Sequence, residues 1–229
     1  MKRVGIIGGM GSLASVDLYK KIVSLTPAKC DQDHILITID NNAKIPDRSA
    51  YIFRKDESVQ NPLPFLIDSV KRLENSGCDG FCIACNTAHF FADELVKYTK
   101  MKFLNMPQIT TKNIKNSYPN AKKVAVIATI GTRKTGIYNK FLDELGLESI
   151  EISNQIEQNI MDCIYKGVKA GRIDEYKEIF RDSIKKIEAD VFIAACTEIP
   201  ILMQYLDDDS KFVDATNELA KEVVEFANS

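Results

Sequence analysis

Three short segments from the first half of the chain recur in the second half, and this internal repeat limits the possible folds more than any other feature. In sequence order the pairs are VGIIGGMGS (4–12) with VAVIATIGT (124–132), GFCIACNT (80–87) with VFIAACT (191–197), and KFLN (102–105) with KFVD (211–214). Their offsets are 120, 111 and 109 residues. A single match between apolar segments arises readily by chance, but three in the same order indicate duplication. We therefore expect two similar units.

Short apolar runs alternate with segments of helical spacing, as in VGIIGG (4–9), HILITID (34–40) and GFCIAC (80–85). Near-continuous apolar strands between helices are typical of a parallel sheet covered on both faces. The predicted fold is therefore α/β, with two similar lobes, each a parallel sheet flanked by helices, related by a pseudo-two-fold.

The repeat also predicts where the lobes begin and end. We expect an N-terminal lobe of residues 1–107 plus 211–229 and a C-terminal lobe of residues 108–210. Ligands of parallel α/β sheets bind beyond the carboxyl ends of the strands. The functional site is therefore predicted in the cleft between the two lobes.

Composition favours a small-molecule partner. The net charge is −2 and 27% of the residues are charged, which gives no reason to expect nucleic acid or an anionic membrane surface. No stretch approaches the roughly 18 apolar residues of a membrane span, and the glycine-broken N-terminus does not resemble a signal peptide. The six cysteines are scattered, unlike a disulfide framework. We expect reduced thiols and a cytoplasmic location.

Two of these cysteines end matching strands of the repeat. Cys85 follows GFCIA and Cys196 follows VFIAA. Inverting a carbon that carries an acidic hydrogen needs one group to remove the proton and another to return one from the opposite face. A strand-to-helix turn can lower a thiol pKa from its reference of about 8.5, because backbone N–H groups favour the thiolate. Donors for a substrate carboxylate would come from Asn86, Thr87 and Thr197.

Six segments together carry a family resemblance: GGMGSLAS, IPDRSAY, CNTAH, ATIGT, IYKGVKAG and CTEIP. In this order they resemble the motifs of the cofactor-independent aspartate/glutamate racemase family, over nearly the whole chain. The combination of CNTAH with CTE is specific, whereas GGMG alone is weak. Ser12 and Ser49 depart from the proline and threonine that are common in the family, which affects loop shape rather than chemistry.

The resemblance implies a racemase that acts on aspartate first, with glutamate or other amino acids next, that uses no pyridoxal phosphate or other cofactor, and that forms a homodimer. It implies that Cys85 and Cys196 are the acid/base thiols and that Arg48 and Lys169 hold the side-chain carboxylate. The residues implied at the α-carboxylate and amino end are Met10, Asn86, Thr87, Thr129 and Thr197.

Three further residues are candidates to orient or tune the thiols and the cations without contacting the substrate. His89 lies four residues after Cys85, so it either polarises the thiol or caps and packs. Asp47 and Glu198 lie beside Arg48 and Cys196 and are interpreted as tuning them, although single acidic residues are more often exposed.

Other interpretations of the same residues are weaker. Cys82-x-x-Cys85 has redox spacing, but Cys82 lies inside an apolar strand. A zinc site needs more ligands than this pair and the two histidines, His34 and His89, supply. The sequence Gly9-x-Gly11-x-x-Ala14 fits a nucleotide fingerprint, but a tight turn over a small ligand is the preferred interpretation. Cys30, Cys78, Cys82 and Cys163 are expected to act as small apolar residues.

Two other functions stay open from the sequence. One is a related diacid isomerase or decarboxylase, although the presence of both thiols argues against single-thiol decarboxylases. The other is a non-catalytic protein that binds a small dicarboxylate.

Overall fold

The computed structural model describes residues 1–53 and 58–229. Within these, the chain forms eight strands: β1 Val4–Gly8, β2 Ile37–Asn41, β3 Gly80–Ile83, β4 Lys102–Phe103, β5 Lys123–Ile127, β6 Glu148–Ser149, β7 Val191–Ala194 and β8 Phe212–Asp214. The α-helices are α1 Ser12–Leu25, α2 Arg48–Ile52, α3 Pro62–Asn75, α4 Ala92–Leu95, α5 Met106–Ser117, α6 Ile130–Lys134, α7 Asn139–Glu144, α8 Asn154–Asp162, α9 Ile173–Ile184, α10 Ile199–Met203 and α11 Ala215–Asn228. Three 3₁₀ helices span Asp31–Asp33, Thr87–Phe91 and Val96–Tyr98, and a π-helix spans Cys163–Val168.

The strands form two four-stranded sheets with the same strand order. The first sheet is β2-β1-β3-β4 and the second is β6-β5-β7-β8, and every neighbouring pair is parallel. The α/β class and the pair of similar parallel sheets are therefore confirmed. The chain divides into one compact unit of Met1–Ile109 with Thr216–Ser229 and a second of Thr110–Ala215.

The repeat extends to individual side chains in the two cores. In the first unit Phe81 pairs with Phe103 across β3 and β4, and the rings stack with centroids 4.8 Å apart. In the second, Phe192 pairs with Phe212 across β7 and β8, with centroids 4.9 Å apart. Because offset-stacked rings fix the spacing between neighbouring strands, the same aromatic pair sets the same strand register twice.

The segment at 211–214 lies in a different unit from the one predicted. The sequence placed 211–229 in the N-terminal lobe, but β8 pairs with β7 in the second sheet, where Phe192 N–H donates to the Lys211 carbonyl at 2.9 Å. Only the helix that follows, from Thr216 onward, returns to the first unit.

The second strand is also shorter than the predicted 34–40. Asp33 accepts backbone N–H bonds from Lys29 and Cys30, at 2.8 and 3.2 Å, and this holds the chain in a 3₁₀ turn until His34. Strand pairing therefore begins later, where Ile37 lies opposite Val4. Within residues 1–53 and 58–229, no helix is both long and apolar enough to cross a membrane.

Candidate active site

Cys85 lies at the carboxyl end of the central strand β3, two residues after Ile83. The strand is buried along its whole length, and Cys85 itself is 8% exposed. Its side chain belongs to the same apolar cluster as Met10 and Ile45. The chain then turns into the 3₁₀ helix Thr87–Phe91, so the thiol stands where a buried strand gives way to polar residues.

His89 holds the backbone of this turn through hydrogen bonds made by both ring nitrogens. Its Nδ1 lies 2.9 Å from the carbonyl oxygen of Cys85 and 3.2 Å from that of Asn86, while Nε2 accepts the backbone N–H of Met106 at 3.2 Å. These partners assign the proton to Nδ1. Burial lowers the pKa of His89 to about 4, so the ring is neutral. Of the two roles predicted for His89, the structure gives it the capping one.

Cys196 occupies the equivalent place in the second unit, two residues after β7 ends at Ala194. Its partly buried thiol donates to Oε2 of Glu198 at 3.0 Å, and the Thr197 hydroxyl donates to the same oxygen at 2.9 Å. Glu198 is the N-cap residue of α10, but its side chain makes no capping hydrogen bond, and its carboxylate is directed toward Cys196 and Thr197 instead.

These surroundings stabilise the neutral thiol. Burial raises the pKa of Cys196 well above its ordinary value, the negative charge of Glu198 raises it further, and the charge of Lys169 opposes this only weakly. The expectation that the strand-to-helix turn lowers this thiol pKa is therefore wrong for Cys196. Desolvation and a neighbouring carboxylate outweigh the turn's backbone N–H groups.

Lys169 approaches the other oxygen of the same carboxylate. Its Nζ lies 3.7 Å from Oε1 of Glu198 and 4.5 Å from the centroid of the Tyr165 ring. Lys169 follows the π-helix Cys163–Val168, one helical turn after Tyr165. The sequence predictions did not include Tyr165, although its position four residues before Lys169 was an available signal. In the second unit, Cys196, Thr197, Glu198 and Lys169 thus form one connected group.

Arg48 is fixed by backbone carbonyls in the first unit. Nη1 donates to the Pro46 carbonyl and Nη2 to the Met10 carbonyl, both at 3.0 Å, while the buried Nε has no partner. Asp47 caps α2 by accepting the Ala50 N–H at 2.8 Å. Asp47 therefore shapes the loop that presents Arg48, rather than pairing with its charge.

The Gly9 turn is required by close packing and backbone conformation. Gly9 has φ +87°, and a Cβ there would lie 2.4 Å from the carbonyl carbon of Asn42. Its N–H donates to the Ser15 hydroxyl at 3.1 Å. By contrast, a Cβ on Gly11 would meet no atom within 4 Å. Of the two glycines in the nucleotide-fingerprint pattern, the fold therefore requires glycine only at position 9.

The remaining predicted binding residues lie at the ends of strands. Asn86 and Thr87 are buried and follow Cys85 directly. Thr129 caps α6 after β5, where its hydroxyl accepts the Thr132 N–H at 3.4 Å.

Cys78, Cys82 and Cys163 are buried free thiols, whereas Cys30 is an exposed free thiol, so the expectation that Cys30 packs as a small apolar residue is wrong. Cys82 is fully buried within β3, and burial raises its pKa to about 12. Cys163 is also buried, and its thiol contacts the Tyr176 carbonyl at 3.5 Å. In the part of the chain that the structure describes, no group of three or more His, Cys, Asp or Glu side chains could hold a metal ion.

Two cavities lie apart from the residues predicted to bind substrate. One of about 600 Å³ in the first unit is lined by Lys100, Lys102 and Phe226 among others, and one of about 320 Å³ in the second is lined by the ion-paired Arg133 and Glu157 among others. No residue predicted to bind substrate lines either of them.

Comparison with known proteins decides the family. The model of the Asp/Glu/Hydantoin racemase family matches residues 7–223. The chain belongs to this family. The predicted resemblance is therefore confirmed, and so is the prediction of an isomerase of the amino-acid racemase type.

Several relatives of this racemase cover almost its entire length. An aspartate racemase structure from Picrophilus torridus is 31% identical, with 100% of this chain and 95% of that chain covered and a TM-score of 0.79. An aspartate racemase homologue from Pyrococcus horikoshii is 20% identical, with both chains fully covered and a TM-score of 0.78, which shows the fold alone. The broad-specificity amino-acid racemase RacX of Bacillus subtilis is 24% identical, with 96% of each chain covered.

Proposed function

We propose that this racemase interconverts L- and D-aspartate by a two-base mechanism in which Cys85 and Cys196 each serve one face of the α-carbon. One observation carries the proposal: each thiol stands two residues beyond the equivalent third strand of two like sheets. A duplicated fold that places the same acid/base group twice matches a reaction needing one such group per face.

In each turnover the α-proton passes to one sulfur as the other sulfur donates its proton to the opposite face. One thiolate and one thiol enter the step, and one thiol and one thiolate leave it, so no oxidant or reductant is needed. Pyridoxal phosphate has no role in this scheme because the sulfurs perform both proton transfers. In the resting protein Cys196 is the thiol member, since its S–H is donated to Glu198.

Aspartate is the proposed substrate for two reasons. The Picrophilus aspartate racemase shares 31% identity with nearly the whole chain. In addition, Arg48 and Lys169, the cations proposed for the side-chain carboxylate, each retain donor capacity: the buried Arg48 Nε has no partner, and Lys169 is partly exposed with its nearest carboxylate oxygen 3.7 Å away. Charge-assisted contacts of this kind discriminate strongly between a carboxylate and a methyl group.

We further propose that the racemase is a cytoplasmic homodimer. Helix α1 exposes an apolar stripe of Leu13, Val16, Tyr19 and Val23, whereas its opposite side is buried. A patch of this kind is typical of a protein-protein contact. Sedimentation of the wild type should give a dimer that Val16→Glu weakens, while Leu25→Glu, on another side of the helix, leaves it intact. A monomer at every concentration would exclude the dimer.

The decisive experiment for the reaction uses two single variants in deuterated solvent. Cys85→Ser and Cys196→Ser keep the side-chain shape but lose an ionisable thiol, so racemisation should nearly vanish in both. Residual α-hydrogen exchange, followed by NMR, should occur with L-aspartate in one variant and with D-aspartate in the other. A variant that keeps most of its racemase rate, or two variants that exchange the same enantiomer, would refute the two-thiol mechanism.

Deuterium exchange and an assay of carbon dioxide release, both on the wild type, separate the two other candidate functions. A dicarboxylate-binding protein would exchange no α-hydrogen with either enantiomer, even as the wild type. A diacid decarboxylase would release carbon dioxide from a suitable diacid, which a racemase does not.

A further inference from the structure

Tyr165 presents its aromatic ring to the ammonium of Lys169. The ring centroid lies 4.5 Å from Lys169 Nζ, well within the range of a cation–π contact. A second contact, from Nζ to Oε1 of Glu198, measures 3.7 Å. This is longer than a direct charge-assisted hydrogen bond of about 2.7–2.9 Å, so the carboxylate holds the ammonium only loosely. The ring is therefore a main determinant of where the ammonium lies.

The backbone that carries this pair is fixed in the core of the second unit. Ile164 and Gly167 are buried within the π-helix, and an added Cβ on Gly167 would lie 3.0 Å from Cβ of Tyr176. Where the π-helix ends, Lys169 N–H donates to the Ile164 carbonyl at 3.0 Å. Tyr165 and Lys169, four residues apart, lie on the exposed side of the same segment. The two side chains therefore share a rigid support.

A lysine that rotates freely discriminates poorly between carboxylates at different distances. The ammonium ends a flexible four-carbon stem, and 42% of the Lys169 side chain is exposed. Without a partner that fixes it, the ammonium would follow the carboxylate of a longer or a shorter ligand. The side chains of aspartate and glutamate differ by one methylene group. Selectivity between them therefore needs an ammonium of fixed position.

We propose that Tyr165 is a positioning residue that holds Lys169 at one reach, so that the site selects a four-carbon over a five-carbon dicarboxylate. The aromatic ring carries no net charge, so it fixes the ammonium without neutralising it. The positive charge stays available to a side-chain carboxylate. This inference rests on the proposed function, in which Lys169 binds the distal carboxylate of aspartate.

A second lysine in the same unit shows the contrast. Lys177 lies over the ring of Tyr205, with Nζ 5.4 Å from the centroid, but the same nitrogen is bound to Asp174 at 2.6 Å. The charge of Lys177 is therefore already paired with a carboxylate at hydrogen-bond distance. Lys169 combines a closer ring with a more distant carboxylate, the arrangement that leaves a cation both held in place and able to bind an anion.

Calorimetry with two dicarboxylates that lack an amino group measures this selectivity without relying on turnover. Succinate and glutarate differ by one methylene group, as aspartate and glutamate do. We expect the wild type to bind succinate more tightly than glutarate. Tyr165→Leu should weaken succinate binding by about 5-fold, as expected for loss of a cation–π contact at a partly exposed site, and should weaken glutarate binding less.

Two further variants serve as controls. Tyr165→Phe keeps the aromatic ring and should bind both dicarboxylates as the wild type does. Tyr205→Leu removes the ring beside Lys177 and should leave both affinities unchanged. Because Tyr165 is 41% exposed, Tyr165→Leu should melt close to the wild-type temperature, which circular dichroism can verify.

Kinetics on aspartate distinguish positioning of the cation from an effect on the chemical step. Tyr165→Leu should raise KM for aspartate by about 5-fold and leave kcat nearly unchanged, because the ring acts on the cation that binds substrate and not on the thiols. Tyr165→Phe should restore the wild-type KM. A general structural defect would lower kcat as well.

The outcomes separate this inference from the proposed function. Tyr165→Leu with the wild-type preference for succinate, or a wild type without that preference, overturns the inference and leaves the two-thiol reaction intact. Loss of the preference in Tyr165→Phe overturns the role of the aromatic ring. A wild type that binds neither dicarboxylate overturns the inference too. A wild type that binds succinate selectively but does not racemise aspartate overturns the proposed function, while the variants still decide the role of Tyr165.

Discussion

Arg48 donates Nη2–H to the carbonyl oxygen of Met10 at 3.0 Å, so the cation proposed to hold the substrate also holds the loop after β1. Its second donor nitrogen is bound to the Pro46 carbonyl. Because of this double role, a loss of activity on substituting Arg48 does not by itself measure substrate recognition. Removing the side chain removes both a carboxylate contact and the support of Met10.

We predict that Lys169→Met is the cleaner probe of substrate choice. Methionine keeps most of the length of the lysine side chain but carries no charge. We expect kcat/KM for aspartate to fall, and the loss corresponds to about 2 to 4 kcal/mol of transition-state stabilisation. Activity on alanine should fall much less, since alanine has no distal carboxylate. Rates for both amino acids, measured by polarimetry, give the comparison. Equal losses would show that Lys169 supports the fold and does not recognise the side chain.

Arg48→Ala, in contrast, should weaken activity on both amino acids. The Met10 carbonyl loses its donor, and the loop beside Cys85 loses its support. Arg48→Lys should restore part of the aspartate rate but not the whole, because an ammonium cannot reproduce two fixed carbonyl contacts together with a free Nε–H. A full rate in Arg48→Lys would show that only the positive charge matters.

Acid should weaken the fold through His89. Burial lowers the pKa of His89 to about 4 in the folded protein, below its value in the unfolded chain. Between these two pKa values the unfolded chain therefore binds more protons than the folded protein. Stability from the neutral ring is full above the unfolded pKa near 6.5 and is lost as the pH falls toward 4. We expect about 2 kcal/mol less unfolding free energy at pH 5 than at pH 7.

Asparagine supplies the control for this pH effect. His89→Asn keeps an N–H donor near the Cys85 carbonyl but cannot gain a proton in this range. Urea denaturation at pH 5 and pH 7 should show a smaller difference for the variant than for the wild type. The same difference in both proteins would assign the effect to other groups.

Two glycines of one loop should differ in how far substitution by alanine destabilises the fold. Gly9→Ala places a Cβ against the Asn42 backbone at positive φ, and we expect a loss of about 2 kcal/mol or more of stability. Gly11→Ala meets open space and should be near neutral in thermal unfolding. Comparable melting temperatures for Gly9→Ala and the wild type would contradict the packing seen around Gly9.

The cofactor prediction is independent of these substitutions. Racemase activity should survive a chelator, need no added pyridoxal phosphate, and be abolished by thiol alkylation in a simple rate assay. A Schiff-base absorbance in the purified protein, or loss of activity on chelation, would reject the two-thiol chemistry.

The sequence predicted those features that a local pattern determines. The two similar sheets follow from the short repeated segments, and the stacked pairs Phe81–Phe103 and Phe192–Phe212 show the same repeat in the structure. Strand ends could likewise be predicted, because apolar runs stop where Cys85 and Cys196 meet polar neighbours.

Atomic contacts within a turn could not be predicted in this way. Helical spacing places His89 on the same side as Cys85, but only the folded backbone shows that the ring reaches the carbonyl rather than the sulfur. The contact between Glu198 and Cys196 depends on the side-chain conformation of Glu198, and burial together with this contact raises the thiol pKa, against the expectation from the turn alone. The unit to which residues 211–214 belong depends on long-range strand pairing, which no local pattern specifies.

The last helix determines when the first unit can be completed during synthesis. Gly80 begins β3 where an added Cβ would lie 2.6 Å from the Phe226 ring, and Lys2 N–H donates to the Ala227 carbonyl at 2.8 Å. Phe226 and Ala227 lie in α11, which leaves the ribosome only after all of Thr110–Ala215. Until the second unit has been translated, the nascent first unit therefore lacks both the Phe226 ring against Gly80 and the backbone partner of Lys2.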